Sequence, residues 1–191
     1  MKIFLNDDAF NEIYNKFVTS NLLKMAKVYF TIGGNMGDRE TNLGEARRLI
    51  SERIGKVCKE SSIYESEPWG FSSDQNFLNQ VLLVETKLSP AALILEISYI
   101  ESKLGRIRNG VGYASRTMDV DILFYDHQIM LTPELVIPHK QMHKRKFVLE
   151  PLNEIAPDFI HPLFSLSSHE LLITCSDESK VWKYQTVVVG N

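Results

Sequence analysis

The segment Met118-Asp119-Val120-Asp121-Ile122 sets apolar side chains and carboxylates in strict alternation. In an extended strand, successive residues point to opposite faces. Met118, Val120 and Ile122 are therefore predicted to enter a core, while Asp119 and Asp121 share the other face. Two carboxylates about 7 Å apart repel unless a cation lies between them. The segment demands a sheet with one dry face. Its other face is either a wet acidic edge or a site for hard cations such as Mg²⁺. The loop just ahead runs from Lys103 to Met118 and holds four cations, Lys103, Arg106, Arg108 and Arg116, with no acid. Arginine suits phosphate because its planar fork donates two hydrogen bonds at once. Gly105, Gly110 and Gly112 allow this loop to move. An arginine-rich loop leading into paired aspartates is the layout expected of a metal–polyphosphate site, with a plain solvated basic loop as the alternative.

Two further sets of residues carry chemistry. The stretch Pro138-His139-Lys140-Gln141-Met142-His143-Lys144-Arg145-Lys146-Phe147 adds more cations without an acid. His139 and His143 have the i, i+4 spacing of a helical zinc pair, but no third ligand completes that site. His139 is read as a phosphate donor and His143 as a surface residue. The other set is Trp69, Phe71, Phe77, Asn79 and Phe147. Phe77 and Asn79 share one face of their strand. A flat heterocycle could stack on Phe77, worth about 0.5–1.5 kcal/mol beyond buried area. The Asn79 amide could read its edge. Ordinary core packing is the competing reading. GxxxxGK[ST] and GxGxxG are absent, Gly33-Gly34 is a weak signal, and no Ser-His-Asp or Cys-His signature stands out.

A chain of 191 residues suits one domain, or one domain with an arm. Two readings compete for residues 1–26. Phe10, Ile13, Tyr14, Phe17, Val18, Leu22 and Met25 recur at helical spacing, which predicts an amphipathic helix over 7–25. The same stretch also reads as translated AT-rich DNA ahead of a true start at Met25. The main domain is expected over 27–191. Strands are expected at Val28–Ile32, Val57–Tyr64, Phe77–Leu88 and Met118–Tyr125, and a loop over Glu65–Asn76. Helices are expected around Leu43–Ile54, from the Ser89 cap to Leu104 with Gly105 closing it, and from Ser167 or Ser168 to about Cys175. The β-α-β order, met twice, predicts an α+β fold: a ferredoxin-like sandwich with a central, mostly antiparallel sheet flanked by helices. The net charge of -3 argues against long nucleic acid as the main partner. Cys58 and Cys175 form no CxxC, which suits a reducing, cytoplasmic setting, and no apolar run approaches a membrane span.

These residues resemble a known family, the 6-hydroxymethyl-7,8-dihydropterin pyrophosphokinases of folate biosynthesis. The resemblance runs from about Lys27 to about Tyr184. It rests on Gly33-Gly34-Asn35-Met36-Gly37-Asp38-Arg39, Phe77-Leu78-Asn79, Gly105-Arg106 with Arg108, Arg116-Thr117-Met118-Asp119-Val120-Asp121-Ile122-Leu123, Pro138-His139 and the stretch Arg145 to Ile155. It implies transfer of pyrophosphate from ATP to the pterin hydroxymethyl group, with release of AMP. It further implies two Mg²⁺ ions on Asp119 and Asp121, with Arg106 and Arg116 catalytic beside them. Glu101, Arg108, Tyr113, Ile122, His139 and Arg145 fall at ATP-binding positions. Ser66, Trp69, Phe77, Asn79 and Phe147 fall at pterin-binding positions, with the two phenylalanines sandwiching the ring. The partners implied are these small molecules, in a monomer. Four positions depart from the family pattern. Tyr113 and Ser115 stand in the mobile loop where Trp and Pro are usual, Gly34 replaces Ser, and Glu67 replaces Pro. Tyr113 keeps an aromatic ring, so capping by this loop is expected to survive with altered ATP affinity. A non-catalytic pterin- or nucleotide-binding paralogue and an RNA-binding ferredoxin-like module are the alternatives.

Overall fold

The computed structural model describes residues 25–106 and 114–185. The helical reading of 7–25 thus lies outside the described residues apart from Met25, as do Arg108 and Tyr113. The described elements are strand β1 (Ala26–Gly34), helix α1 (Arg39–Arg53), β2 (Lys56–Glu60), β3 (Tyr64–Ser66), β4 (Phe77–Thr86), α2 (Pro90–Lys103), β5 (Asp119–Tyr125), β6 (Met130–Leu131), β7 (Val136–Ile137), a 3-10 turn (Met142–Lys144), α3 (Lys146–Ile155), α4 (Ser168–Ile173) and β8 (Val181–Lys183). The main sheet runs β5-β1-β4-β3-β8, with β2 also pairing β4, and every pairing is antiparallel. Helices on both faces complete the expected α+β sandwich.

Strand parity divides the two faces. Val28, Phe30 and Ile32 of β1, Leu78, Leu82 and Val84 of β4, and Val120 and Ile122 of β5 point one way. They pack on Leu43, Ala46 and Ile50 of α1 and Leu93, Ile97 and Ile100 of α2. Each large side chain buried in this layer contributes about 1.5–3 kcal/mol. On the opposite face, Tyr29, Val81, Leu83, Leu123 and Phe124 pack on Val148, Leu149 and Leu152 of α3 and Leu171 of α4. That second layer covers only part of the sheet. Beyond it, the same face carries Thr31, Gly33, Phe77, Asn79, Asp119 and Asp121, which line a cleft.

A bulge keeps both layers apolar. Tyr29 pairs Phe124 and Phe30 pairs Ile122, so Leu123 is the extra residue of β5. Leu123 and Phe124 both serve the second layer, and Tyr125 returns to the first. The Leu123 carbonyl accepts a hydrogen bond from the His139 N–H at 3.0 Å. The bulge therefore fixes the segment that follows the cis Ile137–Pro138 peptide.

The expected strand over Val57–Tyr64 is in fact two, β2 and β3. Ser61 divides them: its Oγ accepts from the Val81 N–H at 3.0 Å and its own N–H donates to the Val81 carbonyl at 2.9 Å. A side chain here takes over a ladder position. The loop expected from Glu65 begins later, since β3 extends to Ser66. Ser167, not Ser168, caps α4, in a capping box with Glu170. The short helical or irregular segment expected after Pro138 is the 3-10 turn and α3, while periodicity misses the short strands β6, β7 and β8.

Candidate active site

The cleft has a volume of about 500 Å³. Sheet register builds its floor. Thr31 pairs Asp121, while Gly33 pairs Asp119 on one side and Asn79 on the other. A Cβ on Gly33 would stand 2.6 Å from Asn79 Oδ1 and 2.8 Å from the Leu78 carbonyl, so only glycine fits between these strands. The walls come from the loop after β3, from Arg106 and Arg116, and from the segment from His139 to Phe147.

The charged end begins where α2 stops. Gly105, at φ +76°, donates its N–H to the Ser102 carbonyl, and the Arg106 N–H donates to the Glu101 carbonyl at 2.9 Å. This paired closure is a Schellman motif, and it sets Arg106 directly beside Glu101. One guanidinium nitrogen of Arg106 donates to both Glu101 Oε1 and Asp119 Oδ1. Arg116 donates to the other oxygen, Asp119 Oδ2. Glu101 is 2% exposed and also accepts the Val120 N–H at 3.1 Å, so it ties α2 to the start of β5. Asp121 lies against His139, with Nε2 3.9 Å from Oδ2. Burial, then the charge of Asp119, pushes the Asp121 carboxyl up to about 7. Burial, then the Arg145 cation, pushes the His139 imidazole down to about 4. His139 Nδ1 accepts the Gln141 N–H at 3.3 Å. The neutral ring therefore carries its proton on Nε2, on the cleft side.

The aromatic end lies across the floor. Asn79 Nδ2 donates to Ser66 Oγ at 2.9 Å, which fixes the amide of a residue only 3% exposed. Phe71 meets Phe77 edge-on at 6.0 Å. The Arg145 guanidinium lies 4.9 Å from the Trp69 ring centre and 5.8 Å from that of Phe147. Arg116 stands 5.8 Å from the Phe77 ring. Cations thus stand over the rings of Trp69, Phe77 and Phe147 in the cleft.

Of the residues singled out from sequence, Ser66, Trp69, Phe77, Asn79, Arg106, Arg116, Asp119, Asp121, His139, Arg145 and Phe147 line this one cleft. Glu101 stands behind it, through Arg106. The Ile122 side chain packs in the first core layer instead, because strand parity groups it with Val120. His139 precedes the 3-10 turn that holds His143, so the two do not share a helix, and His143 packs edge-on against Phe164 at 4.7 Å. Thr31, Gly33, Lys140 and Gln141 also line the cleft. Only cross-strand register could have flagged Thr31. Lys140 and Gln141 sit within the basic stretch already noted.

Comparison with known proteins gives a consistent result. The profile of the 7,8-dihydro-6-hydroxymethylpterin-pyrophosphokinase family matches residues 29–157. The chain is 40% identical over 141 residues to the 2-amino-4-hydroxy-6-hydroxymethyldihydropteridine pyrophosphokinase of Porphyromonas gingivalis, covering 72% of this chain and 95% of that one. It is 39% identical over 140 residues to the enzyme of the same name from Aquifex aeolicus, covering 73% and 86%. Among solved structures, the wild-type HPPK-DHPS of Plasmodium falciparum with pteroate superposes with a TM-score of 0.64 at 15% identity, over 78% of this chain and 44% of that chain. At that identity the likeness speaks for the fold alone, and this chain spans less than half of that longer protein.

Proposed function

This chain belongs to the 7,8-dihydro-6-hydroxymethylpterin-pyrophosphokinase family and transfers pyrophosphate from ATP to the hydroxymethyl group of 6-hydroxymethyl-7,8-dihydropterin; on that premise we propose which side chains perform each part of the reaction. The reading is carried by the placement of Asp119, Asp121, Arg106 and Arg116 at one end of a cleft whose other end holds Phe77, Asn79 and Phe147. The pterin ring lies between Phe77 and Phe147, with the Asn79 amide and Ser66 on its edge. Its hydroxymethyl group then points toward the charged end. The triphosphate lies against Arg106, Arg116, His139 and Arg145, with Arg108, Tyr113 and the Ile122 backbone on the ATP side.

The hydroxymethyl oxygen bonds to the β-phosphorus as its proton passes to solvent and the bond from that phosphorus to the α-bridging oxygen breaks, and AMP leaves with that oxygen. Such a transfer needs alignment and charge neutralisation more than covalent help. Arg106 and Arg116 would turn from Asp119 toward the phosphates, and His139 would donate from Nε2. Asp119 and Asp121 suit Mg²⁺, because both offer hard carboxylate oxygens on one face of β5 at the cleft floor. Among the described residues no cluster of three or more His, Cys, Asp or Glu completes a cage. When bound, Mg²⁺ would supply charge neutralisation at the triphosphate and acidify the attacking hydroxyl.

Residues 27–191 form the catalytic domain in this reading, with 1–26 an extension ahead of it. In this reading the domain works as a cytoplasmic monomer. Among the described residues no helix is long and apolar enough to cross a membrane. The test is AMP release from ATP with Mg²⁺, with and without the pterin, in the native protein and in Asp119→Ala. Pterin-dependent AMP without ADP, lost in the variant, supports the assignment. Unchanged turnover in the variant sinks it.

A further inference from the structure

The two loops flanking the cleft meet at a residue outside it. Asn35 follows β1 directly and is fully buried. Its Oδ1 accepts the Arg116 N–H at 2.9 Å. Its own N–H and that of Met36 donate to the Arg116 carbonyl at 2.9 and 3.2 Å. Because a backbone N–H can only donate, the amide orientation is fixed, and Nδ2 must face the other way. There it reaches Ser115 Oγ at 3.0 Å, Ser73 Oγ at 3.2 Å and the Gln75 carbonyl at 3.3 Å. Ser73 and Ser115 also lie 3.4 Å apart, oxygen to oxygen.

The arithmetic of this junction is its main property. An amide nitrogen has two hydrogens, and here three acceptors compete for them. One acceptor belongs to the stem of Arg116, and two belong to the loop that follows Ser66 and carries Trp69. The hydroxyls of Ser73 and Ser115 can each donate as well as accept, so a shift of either loop reassigns the bonds of the other. Asn35, between them, is anchored by β1 and cannot follow.

We propose that Asn35, Ser73 and Ser115 form a positioning junction that makes the placement of Arg116 depend on the placement of the pterin-side loop. Pterin docking against Ser66 and Trp69 settles the Ser73–Gln75 segment, and the shared amide transmits that setting to Arg116. This rests on the assignment of Arg116 to transfer and of Trp69 to pterin binding.

The test compares steady-state kinetics of Ser73→Ala, Ser115→Ala and the double variant. Ser115 is exposed and Ser73 partly so, which leaves folding intact. Trp69→Ala and Arg116→Ala serve as references for the two loops. Under the proposal each serine variant changes both the pterin KM and kcat, by about two- to tenfold for one lost hydrogen bond. The double variant is then no worse than the worse single. Ser115→Thr, which keeps the hydroxyl, restores both constants. Ser73→Ala changing KM alone, Ser115→Ala changing kcat alone, and a double variant equal to their product would overturn the coupling. References that leave pterin KM and kcat untouched would instead overturn the site assignment.

Discussion

Asp119 and Asp121 share one face of β5 but not one environment. Asp119 accepts from Arg106 and Arg116 on both oxygens, whereas Asp121 has His139 Nε2 at 3.9 Å. The strand gives them equal standing toward the cleft and unequal standing in the fold. Asp119→Asn and Asp121→Asn should each lower turnover by about 10²–10³ or more. Their stabilities should diverge. Asp119→Asn weakens two charge-assisted contacts and should cost about 1–3 kcal/mol. Asp121→Asn removes a charge that its surroundings disfavour, and at pH 8 without metal it should melt no lower than the native chain. Thermal melts of the two variants check this, and equal losses would contradict it.

Arg106 bridges an acid of the core and an acid of the cleft. Arg106→Ala and Arg116→Ala should both reduce kcat by about 10²–10³ while shifting pterin affinity little. Only Arg106→Ala should also lower the melting temperature substantially, since it removes the cation beside buried Glu101. Pterin binding, followed by ligand fluorescence alongside initial rates, separates these effects. A loss confined to pterin affinity would contradict the assigned roles.

Gly33 stands between Asp119 and Asn79 in the sheet and leaves room for the Asn79 amide. In Gly33→Ala the new Cβ would press on the Asn79 amide, the group assigned to the pterin edge. The expected outcome is pterin affinity weakened at least about tenfold, with ATP affinity nearly unchanged, since loss of a buried hydrogen-bonding group costs about 1–3 kcal/mol. Isothermal titration with each substrate in turn measures both. Equal weakening of the two would argue against a local clash.

His161 is 2% exposed, and its Nδ1 accepts the N–H groups of Leu163 and Phe164 at 3.2 and 3.3 Å. Burial, then nearby His143, pushes its imidazole down to about 4. The unfolded chain takes up this proton near pH 6.5 and the folded chain resists it. Its stabilisation is therefore complete above pH 6.5 and is lost as pH falls toward 4, at up to about 1.4 kcal/mol per pH unit. His139 acts with the same sign, and Asp121 with the opposite sign. His161→Asn keeps an acceptor without the titration, so its stability should fall less steeply between pH 6.5 and 4. Urea unfolding at several pH values tests this, and parallel curves would count against it.

Legibility in the sequence followed the range of the interaction. Asp119 and Asp121 were plain because alternation is a two-residue property. Gly105 was plain as a helix end, and its Schellman closure shows why Arg106 follows it. Thr31 was not legible: it is polar in a strand that reads as core, and only its pairing with Asp121 brings it to the cleft. Asn35 is visible in the sequence only as part of a motif, because its partners lie 38 to 81 residues away. Ser115 was visible as a departure from the family pattern, but its contact with Ser73 was not. Ser61 broke an expected strand because its hydroxyl competes with the ladder, which hydrophobic patterning does not register.

The Leu123 bulge divides β5 into two segments with independent phase. Ahead of it, the odd-numbered positions carry the carboxylates. Beyond it, the side assignment is reset: Phe124 packs with Tyr29 in the second layer and Tyr125 returns to the first. Substitution in the packed half can therefore proceed without rotating the reactive half. The same extra residue exposes the carbonyl that holds His139, so the irregularity that insulates the carboxylates from the core also brings the imidazole to them.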